Sequence, residues 1–253
     1  DLTTPDGIGT TIPLVVSNMT AIAGRRMAET VARRGGVVVL PQDIPLDVVK
    51  TVVQFVKSRH CIIDTPITMR VDGTVGEALS LIYKRSHGAV IVVDDDERPA
   101  GIFTEHDAVG FDRFTQIRNV MSTEMFTLSE TMSPQEMFEH LTEARLSVAP
   151  VIDSNERLVG VITRNGALRS TIYSPAVDSQ NRLLIAAAVG VNADPAERAK
   201  KLKKMGVDVI VVDTAHGHQV RMLEAVSDVK KAVGETKVVA GQRGHHRRYS
   251  RHH

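Results

Sequence analysis

The segment VDVIVVDTAHGHQ, Val207 to Gln219, decides the fold. Val207 to Val212 reads as a buried strand, rich in β-branched residues, that runs into the polar pair Asp213-Thr214. A strand of continuous rather than alternating apolar character belongs in a parallel sheet covered on both faces. The flanking sequence has the same texture. Leu183 to Val189 is apolar and stops at Gly190, and Asp194 to Lys204 reads as a helix with Pro195 at a tolerated first-turn position. Gln219 to Val233 is again helical, and Lys237 to Ala240 starts another strand.

The same alternation opens the chain. Ile12 to Val16 is an apolar run ending at Ser17-Asn18. A helical stretch from Arg25 to Arg34, the pair Gly35-Gly36 and the run Val37 to Leu40 follow. Pro45 to Ser58 is amphipathic, with Val48, Val49, Val52, Val53, Phe55 and Val56 as its apolar set. Between these two strand-helix regions lies an internal repeat offset by 59 residues, in which Glu97 to Thr104 (ERPAGIFT) aligns with Glu156 to Thr163 (ERLVGVIT). Asp94 pairs with Asp153 and Glu77 with Glu136 at the same offset. Each copy is too small for a generous core, so the two are expected to pack together as an inserted pseudo-symmetric domain.

Composition narrows the function classes. The 253 residues are 42% hydrophobic, enough for one large domain or two moderate ones. No apolar run approaches the roughly 20 residues a membrane helix needs, and nothing resembles a signal peptide. The single cysteine, Cys61, excludes an internal disulfide framework and points to a reducing cytoplasm. The net charge of +1 conceals an uneven distribution, because residues 242–253 (QRGHHRRYSRHH) hold four arginines, four histidines and no acid. The remaining body has 27 basic against 30 acidic side chains, so no nucleic-acid partner is expected of it. No Gly-x-Gly-x-x-Gly stretch supports a Rossmann cofactor site, and no metal site is expected. The chain starts at Asp1 without a methionine, which suggests a true N-terminus upstream.

Each copy of the repeat resembles the CBS-domain pattern: a helix, a short strand into an acidic turn, then Gly-hydrophobic-hydrophobic-Thr. In that family the threonine and an aspartate three residues later bind the ribose and phosphates of adenine nucleotides. The first copy keeps both, as Thr104 and Asp107, whereas the second keeps Thr163 but has Gly166 at the aspartate position. A carboxylate can accept both ribose hydroxyls and a glycine cannot. The resemblance therefore implies one competent ATP or AMP site and one weakened or empty one; a role in association alone is the other reading.

The flanking segments resemble the IMP dehydrogenase/GMP reductase family through IPLVVSNM (Ile12 to Met19), IAAAVGV (Ile185 to Val191) and VIVVDTAHGH (Val209 to His218). The resemblance implies a TIM-type β/α barrel, here about five of eight strands, interrupted by an α+β CBS pair, with the site at the carboxyl ends of the strands. The expected organisation is a first barrel segment 1–61, CBS repeats 62–121 and 122–175, a second barrel segment 176–241 and an anomalous tail 242–253. It implies a purine-nucleotide oxidoreductase acting on IMP or GMP with NAD or NADP, hydride passing between cofactor and purine C2, with ammonia released in the reductase version. Ser17 and Met19 would lie along the purine nucleotide, and Asp213, Thr214 and Ala215 beside the nicotinamide end of the cofactor. Core packing is the other reading for Met19, and a cap or turn role for Asp213. Family members assemble as tetramers, so a complete barrel would be expected to form a homo-oligomer. Thr20 to Gly24 and Pro41-Gln42-Asp43 depart from the usual continuations and mark a divergent branch, with dehydrogenase and reductase both open.

The family's catalytic cysteine sits in a glycine-rich loop after the sixth strand, where its thiolate attacks purine C2. Cys61 has no such loop around it, so no catalytic residue is assigned and these 253 residues are expected to be inactive; a nucleotide-sensing CBS module on an inert barrel remnant is the alternative. After Gly241 the expected Gly-Asn-Val-Val-Thr-type continuation is replaced by Gln242-Arg243-Gly244-His245. The tail read one base out of frame accommodates that continuation, which suggests a one-base insertion near codon 241. A natural basic arm and a metal-binding histidine cluster are the other readings of the tail. His216 and His218 look metal-like in isolation but belong to the family motif.

Overall fold

In a computed structural model, residues 7–192, 194–214 and 220–242 are described. The chain divides into two units, one formed by residues up to Cys61 together with those from Pro175 onward, the other by Ile62–Ser174. In chain order the first unit begins with β1 (Val15–Val16), α1 (Arg25–Arg33), β2 (Val37–Leu40) and α2 (Leu46–Lys57). The second holds β3 (Thr68–Arg70), α3 (Val75–Ile82), β4 (Ala89–Val93), β5 (Pro99–Thr104), β6 (Leu128–Ser129), α4 (Pro134–Glu143), β7 (Val148–Ile152), β8 (Leu158–Thr163) and α5 (Arg164–Ile172). The first unit then resumes with β9 (Ala186–Gly190), α6 (Pro195–Lys204), β10 (Val209–Thr214), α7 (Val220–Val233) and β11 (Lys237–Gln242).

The first unit is a parallel sheet in the order β1-β2-β9-β10-β11. Side chains alternate across it, and both faces are apolar. Val38, Leu40, Ala187, Val189, Ile210 and Val212 share one core with Val31, Val53, Leu202 and Val229 from the four helices. Val37, Val39, Ala186, Ala188 and Val209 form the other layer with Ala176 and Leu184. Two apolar runs give shorter strands than their length suggests. Only Val15–Val16 pairs in the first, because Pro13 lacks an N–H and the Leu14 N–H turns back to the Ile12 carbonyl at 2.8 Å. In the second, Leu183 and Leu184 instead bridge back to Val177 and Ala176, and the parallel strand starts at Ala186.

That hairpin is closed by Asp178, which accepts the Gln180 and Arg182 N–H groups, both at 2.9 Å. Its second oxygen receives the Lys57 ammonium at 2.9 Å, and Lys57 also reaches both oxygens of Asp208 at 2.8 and 2.7 Å. Asp208 in turn accepts the Ile185 N–H at 2.8 Å. The end of α2 and the segments leading into β9 and β10 are thus fastened to one buried cation. Burial raises the Asp178 carboxyl, but the Arg182 amide and the Lys57 and Arg182 side chains outweigh it and hold the group at about 2, below its ordinary 3.8. Burial pushes the Asp208 carboxyl upward, against its bonds to Lys57 and the Ile185 amide.

The second unit repeats itself in three dimensions with the sequence offset. β4–β5 and β7–β8 are antiparallel ladders with equivalent register, Ala89↔Thr104 matching Val148↔Thr163, and each has its irregularity before the final pair. β3 and β6 pair parallel to β4 and β7. Thr74 with Glu77 and Ser133 with Glu136 form capping boxes at the starts of α3 and α4. Glu97 and Glu156 both adopt left-handed backbone, φ 63° and 62°, in turns closed by the Asp94 and Asp153 carboxylates. Ile91, Val93 and Val161 form an apolar layer shared by the two repeats.

The segment before each repeat crosses to the last strand of the other. Asp64 bridges to Val161 in β8, and Ser122 bridges to Ile102 in β5. This crossing explains the glycine of the Gly-hydrophobic-hydrophobic-Thr motif. A Cβ at Gly160 would lie 2.5 Å from the Asp64 carbonyl oxygen, and one at Gly101 would lie 2.4 Å from the Met121 sulfur. Accordingly, Ile63 is buried in the core of the second repeat.

Two outcomes follow for stability. Gly160→Ala should destabilise by about 1–3 kcal/mol, because backbone must move, and Gly101→Ala by less, because the Met121 side chain can swing away; urea titration of both variants measures the difference. Asp178 is ionised more readily folded than unfolded, so its stabilisation is complete above pH 4 and disappears as pH falls from 3.8 toward 2. Asp178→Asn should lower stability at neutral pH and remove that part of the acid limb; parallel limbs in the two proteins would contradict it.

Candidate functional site

The carboxyl ends of a parallel sheet are where its loops can build a site. Here β1 runs into Ser17-Asn18, β2 into Pro41-Gln42-Asp43, β9 ends at Gly190 and β10 ends at Asp213-Thr214. These ends surround a cleft of about 660 Å³ lined by Asn18, Met19, Gln42, Asp43, Asp213 and Thr214, with Thr20 and Ala21 at its edge. That volume lies within the range of small-molecule and cofactor sites.

Local geometry fixes the loop after β1. The Met19 N–H donates to the Ser17 carbonyl at 2.8 Å, and the Ile22 and Ala23 N–H groups both donate to the Met19 carbonyl, at 2.9 and 2.8 Å. Ala23 is buried against the helices, which anchors the loop's far end. Met19 is therefore turned outward, 43% exposed and lining the cleft rather than packed in the core. Asn18 spans the mouth, its Nδ2 donating to Asp213 Oδ2 at 2.8 Å. This bond ties the end of the first strand to the end of the fourth. Gln42 closes another side. A Cβ at Gly190 would lie only 2.4 Å from Gln42 Oε1, so the absence of a side chain at residue 190 is what admits the carboxamide.

Four of the site residues read from the sequence meet at this mouth: Met19, Asp213 and Thr214 in the cleft, and Ser17 just below it in a smaller apolar hollow of about 270 Å³ that also touches Asn18 and Asp213. Ala215, His216 and His218 lie outside the described residues, as do Arg243 to His253. Thr104, Asp107 and Thr163 belong to the other unit. Thr104 donates its N–H and hydroxyl to Asp107 Oδ2 at 2.7 and 2.8 Å, whereas Thr163 Oγ1 accepts the Gly166 N–H at 2.9 Å. Asn18, Gln42 and Asp43 were not assigned to the site from the sequence. Their signal was positional: each follows directly on an apolar run whose carboxyl end must face the site.

Cys61 is not at this mouth. It packs beside the helix core, and its thiol donates to the Asn181 carbonyl at 3.0 Å, near where β9 begins. Burial pushes the thiol upward from its ordinary value, against the lowering effect of Arg33. An activated nucleophile needs the opposite shift. Among the described residues no cluster of three or more His, Cys, Asp or Glu side chains is arranged to hold a metal, and no helix is long and apolar enough to cross a membrane.

A parallel sheet with its four helices packed on one face and its polar cleft at the strand ends fits the class of β/α-barrel proteins. The family is shown by comparison: residues 2–248 match the IMP dehydrogenase / GMP reductase domain, and the chain belongs to that family. It is 51% identical over 229 residues to GMP reductase of Mycobacterium tuberculosis (strain H37Rv), covering 90% of this chain and 48% of that protein. It is 36% identical over 234 residues to the inosine-5'-monophosphate dehydrogenase of the same strain, covering 91% and 44%. The chain thus spans about half the length of these relatives. The crystal structure of GMP reductase from Trypanosoma brucei in complex with guanosine 5'-triphosphate superposes with a TM-score of 0.63 at 28% identity, over 92% of this chain and 58% of that one. The C318A form of that enzyme in complex with guanosine 5'-monophosphate gives 0.63 at 26% identity, over 94% and 55%. The curled parallel sheet of the first unit is accordingly a half-barrel.

Alkylation of Cys61 by iodoacetamide at pH 7.5 should be severalfold slower in the folded protein than in urea; equal or faster reaction of the folded thiol would show an activated cysteine.

Proposed function

We propose that the first unit carries the nucleotide and cofactor cleft of a purine-nucleotide oxidoreductase working in the GMP reductase direction. The observation that carries this reading is the strand-end cleft held together by the Asn18–Asp213 bond. The higher identity to GMP reductase than to the dehydrogenase favours the reductive direction.

In that reaction the reduced nicotinamide supplies hydride to C2 of GMP, two protons are taken up, and IMP, ammonium and oxidised cofactor result. Asp213 is suited to accept ribose hydroxyls of the dinucleotide. Its Oδ2 is held by Asn18, and among the described residues no partner engages Oδ1. Met19 offers a polarizable apolar surface to the flat purine, and Ser17 a hydroxyl beside it. NAD and NADP fit this set equally. The family's covalent step needs a thiolate at the cleft, and Cys61, the one cysteine among these 253 residues, lies elsewhere with its thiol raised. Binding without turnover is therefore expected of them.

A second reading concerns the other unit, which we identify as a CBS pair, its segments before β3 and β6 exchanged between the repeats, and assign to nucleotide sensing. The paired Thr104 and Asp107 of the first repeat favour it, presenting a carboxylate and a hydroxyl together. ATP, AMP or GTP would be its ligand.

Calorimetric titration of the 253-residue chain with GMP and with NADPH tests the first reading. Both should bind, Asp213→Ala should weaken NADPH at least tenfold while changing GMP little, and absorbance at 340 nm should stay constant when both are present. Unchanged NADPH affinity in Asp213→Ala would remove the cofactor assignment, and Cys61-dependent turnover would overturn the expectation of inactivity.

A further inference from the structure

Asp213 ends a row of side chains on one face of the parallel sheet. Val209, Val211 and Asp213 project to the same side of β10 and line the same apolar hollow. In register beside Asp213 stand two glycines, Gly190 in β9 and Gly241 in β11. A sheet residue is ordinarily steadied by the side chains of its cross-strand neighbours. Here neither neighbour has one, so the adjoining strands leave the carboxylate free to turn. Among the described residues, the one side chain bonded to it is Asn18, from Nδ2 to Oδ2 at 2.8 Å.

Asn18 is itself fixed by its own loop. The Met19 N–H closes a three-residue turn onto the Ser17 carbonyl at 2.8 Å, with Asn18 at its centre. The Ile22 and Ala23 N–H groups then hold the Met19 carbonyl. All three bonds join main chain to main chain, so the course of the loop does not depend on the Asn18 carboxamide. That group is left to reach Asp213, 195 positions further along the chain. A carboxamide donates without cancelling the negative charge, whereas a lysine or arginine would cancel it. Oδ1 of Asp213 thus keeps its capacity to accept hydroxyl groups.

We propose that Asn18 is a positioning residue for cofactor binding: it holds one oxygen of Asp213 so that the other faces the ribose hydroxyls of a reduced nicotinamide dinucleotide. The inference rests on the reading of the cleft as a purine-nucleotide and cofactor site, and adds to it a residue that acts only through Asp213. The purine side of the cleft, Ser17 and Met19, is set by the main chain of the same loop and is independent of the carboxamide.

Titration of NADPH fluorescence with the full 253-residue chain, in a double-mutant cycle over Asn18 and Asp213, tests it. Asn18→Ala should weaken NADPH by roughly three- to tenfold, the range of one net hydrogen bond. GMP affinity, measured by calorimetry, and the unliganded Tm should stay as in the wild type. In the Asp213→Ala background the same substitution should change NADPH affinity by less than about twofold, because the group it acts through is gone. Wild-type NADPH affinity in Asn18→Ala, with Asp213→Ala still weakened, would overturn the positioning role alone. Equal losses in both backgrounds would overturn it too, by showing that Asn18 touches the cofactor itself. So would a parallel fall in GMP affinity or in Tm, which would show that the loop had collapsed. No NADPH binding by the wild type, or none lost in Asp213→Ala, would instead remove the cofactor reading on which the inference rests.

Discussion

The half-barrel depends on one buried ammonium. Lys57 ends α2 and is held by Asp178, from the hairpin before β9, and by Asp208, from the approach to β10. Asp208 also takes the amide of Ile185. Every group that would otherwise be a lone buried charge is answered by another. Such a cluster adds little over an apolar packing of equal volume but is costly to break, about 3–5 kcal/mol for loss of one partner. Its contribution is registration. By fixing where β9 and β10 begin, it fixes where they end, and Asp213 comes level with Gly190.

The site lies at the far end of the same strands. Apolar side chains on both faces commit one side of the sheet to the helices and line the hollow on the other, so its polar groups are confined to strand ends. Two carboxamides complete the mouth there. Asn18 reaches across to Asp213, and Gln42 rests over the bare Cα of Gly190. Both are short-reach contacts between loops that the sheet has already brought to within hydrogen-bond distance.

The repeat pair shows how a duplicated fold diverges without losing its frame. Capping boxes, left-handed glutamates and crossing-segment glycines recur at the 59-residue offset because each satisfies a backbone requirement common to both copies. The threonine motifs diverge: Asp107 caps the turn after β5 by taking the Thr104 N–H and hydroxyl, and in the second repeat Gly166 stands at that position and gives its own N–H to Thr163.

Much of the architecture was legible in the residues themselves. Continuous β-branched runs specified parallel strands, the repeat offset specified a paired insertion, and Asp213 at the end of such a run specified a place in the site. Local hydrogen bonding decided what periodicity left open, as where Pro13 and the Leu14 turn cut the first strand to two residues. By itself the sequence determined the alternation of strand and helix and the residues that close each strand, because side-chain pattern and backbone preference are local properties. Only the tertiary structure decided that Met19 faces the cleft, that Asn18 holds Asp213, and that Asp64 pairs with Val161. Those pairings join residues up to 195 positions apart, and only the register of the sheets brings them together.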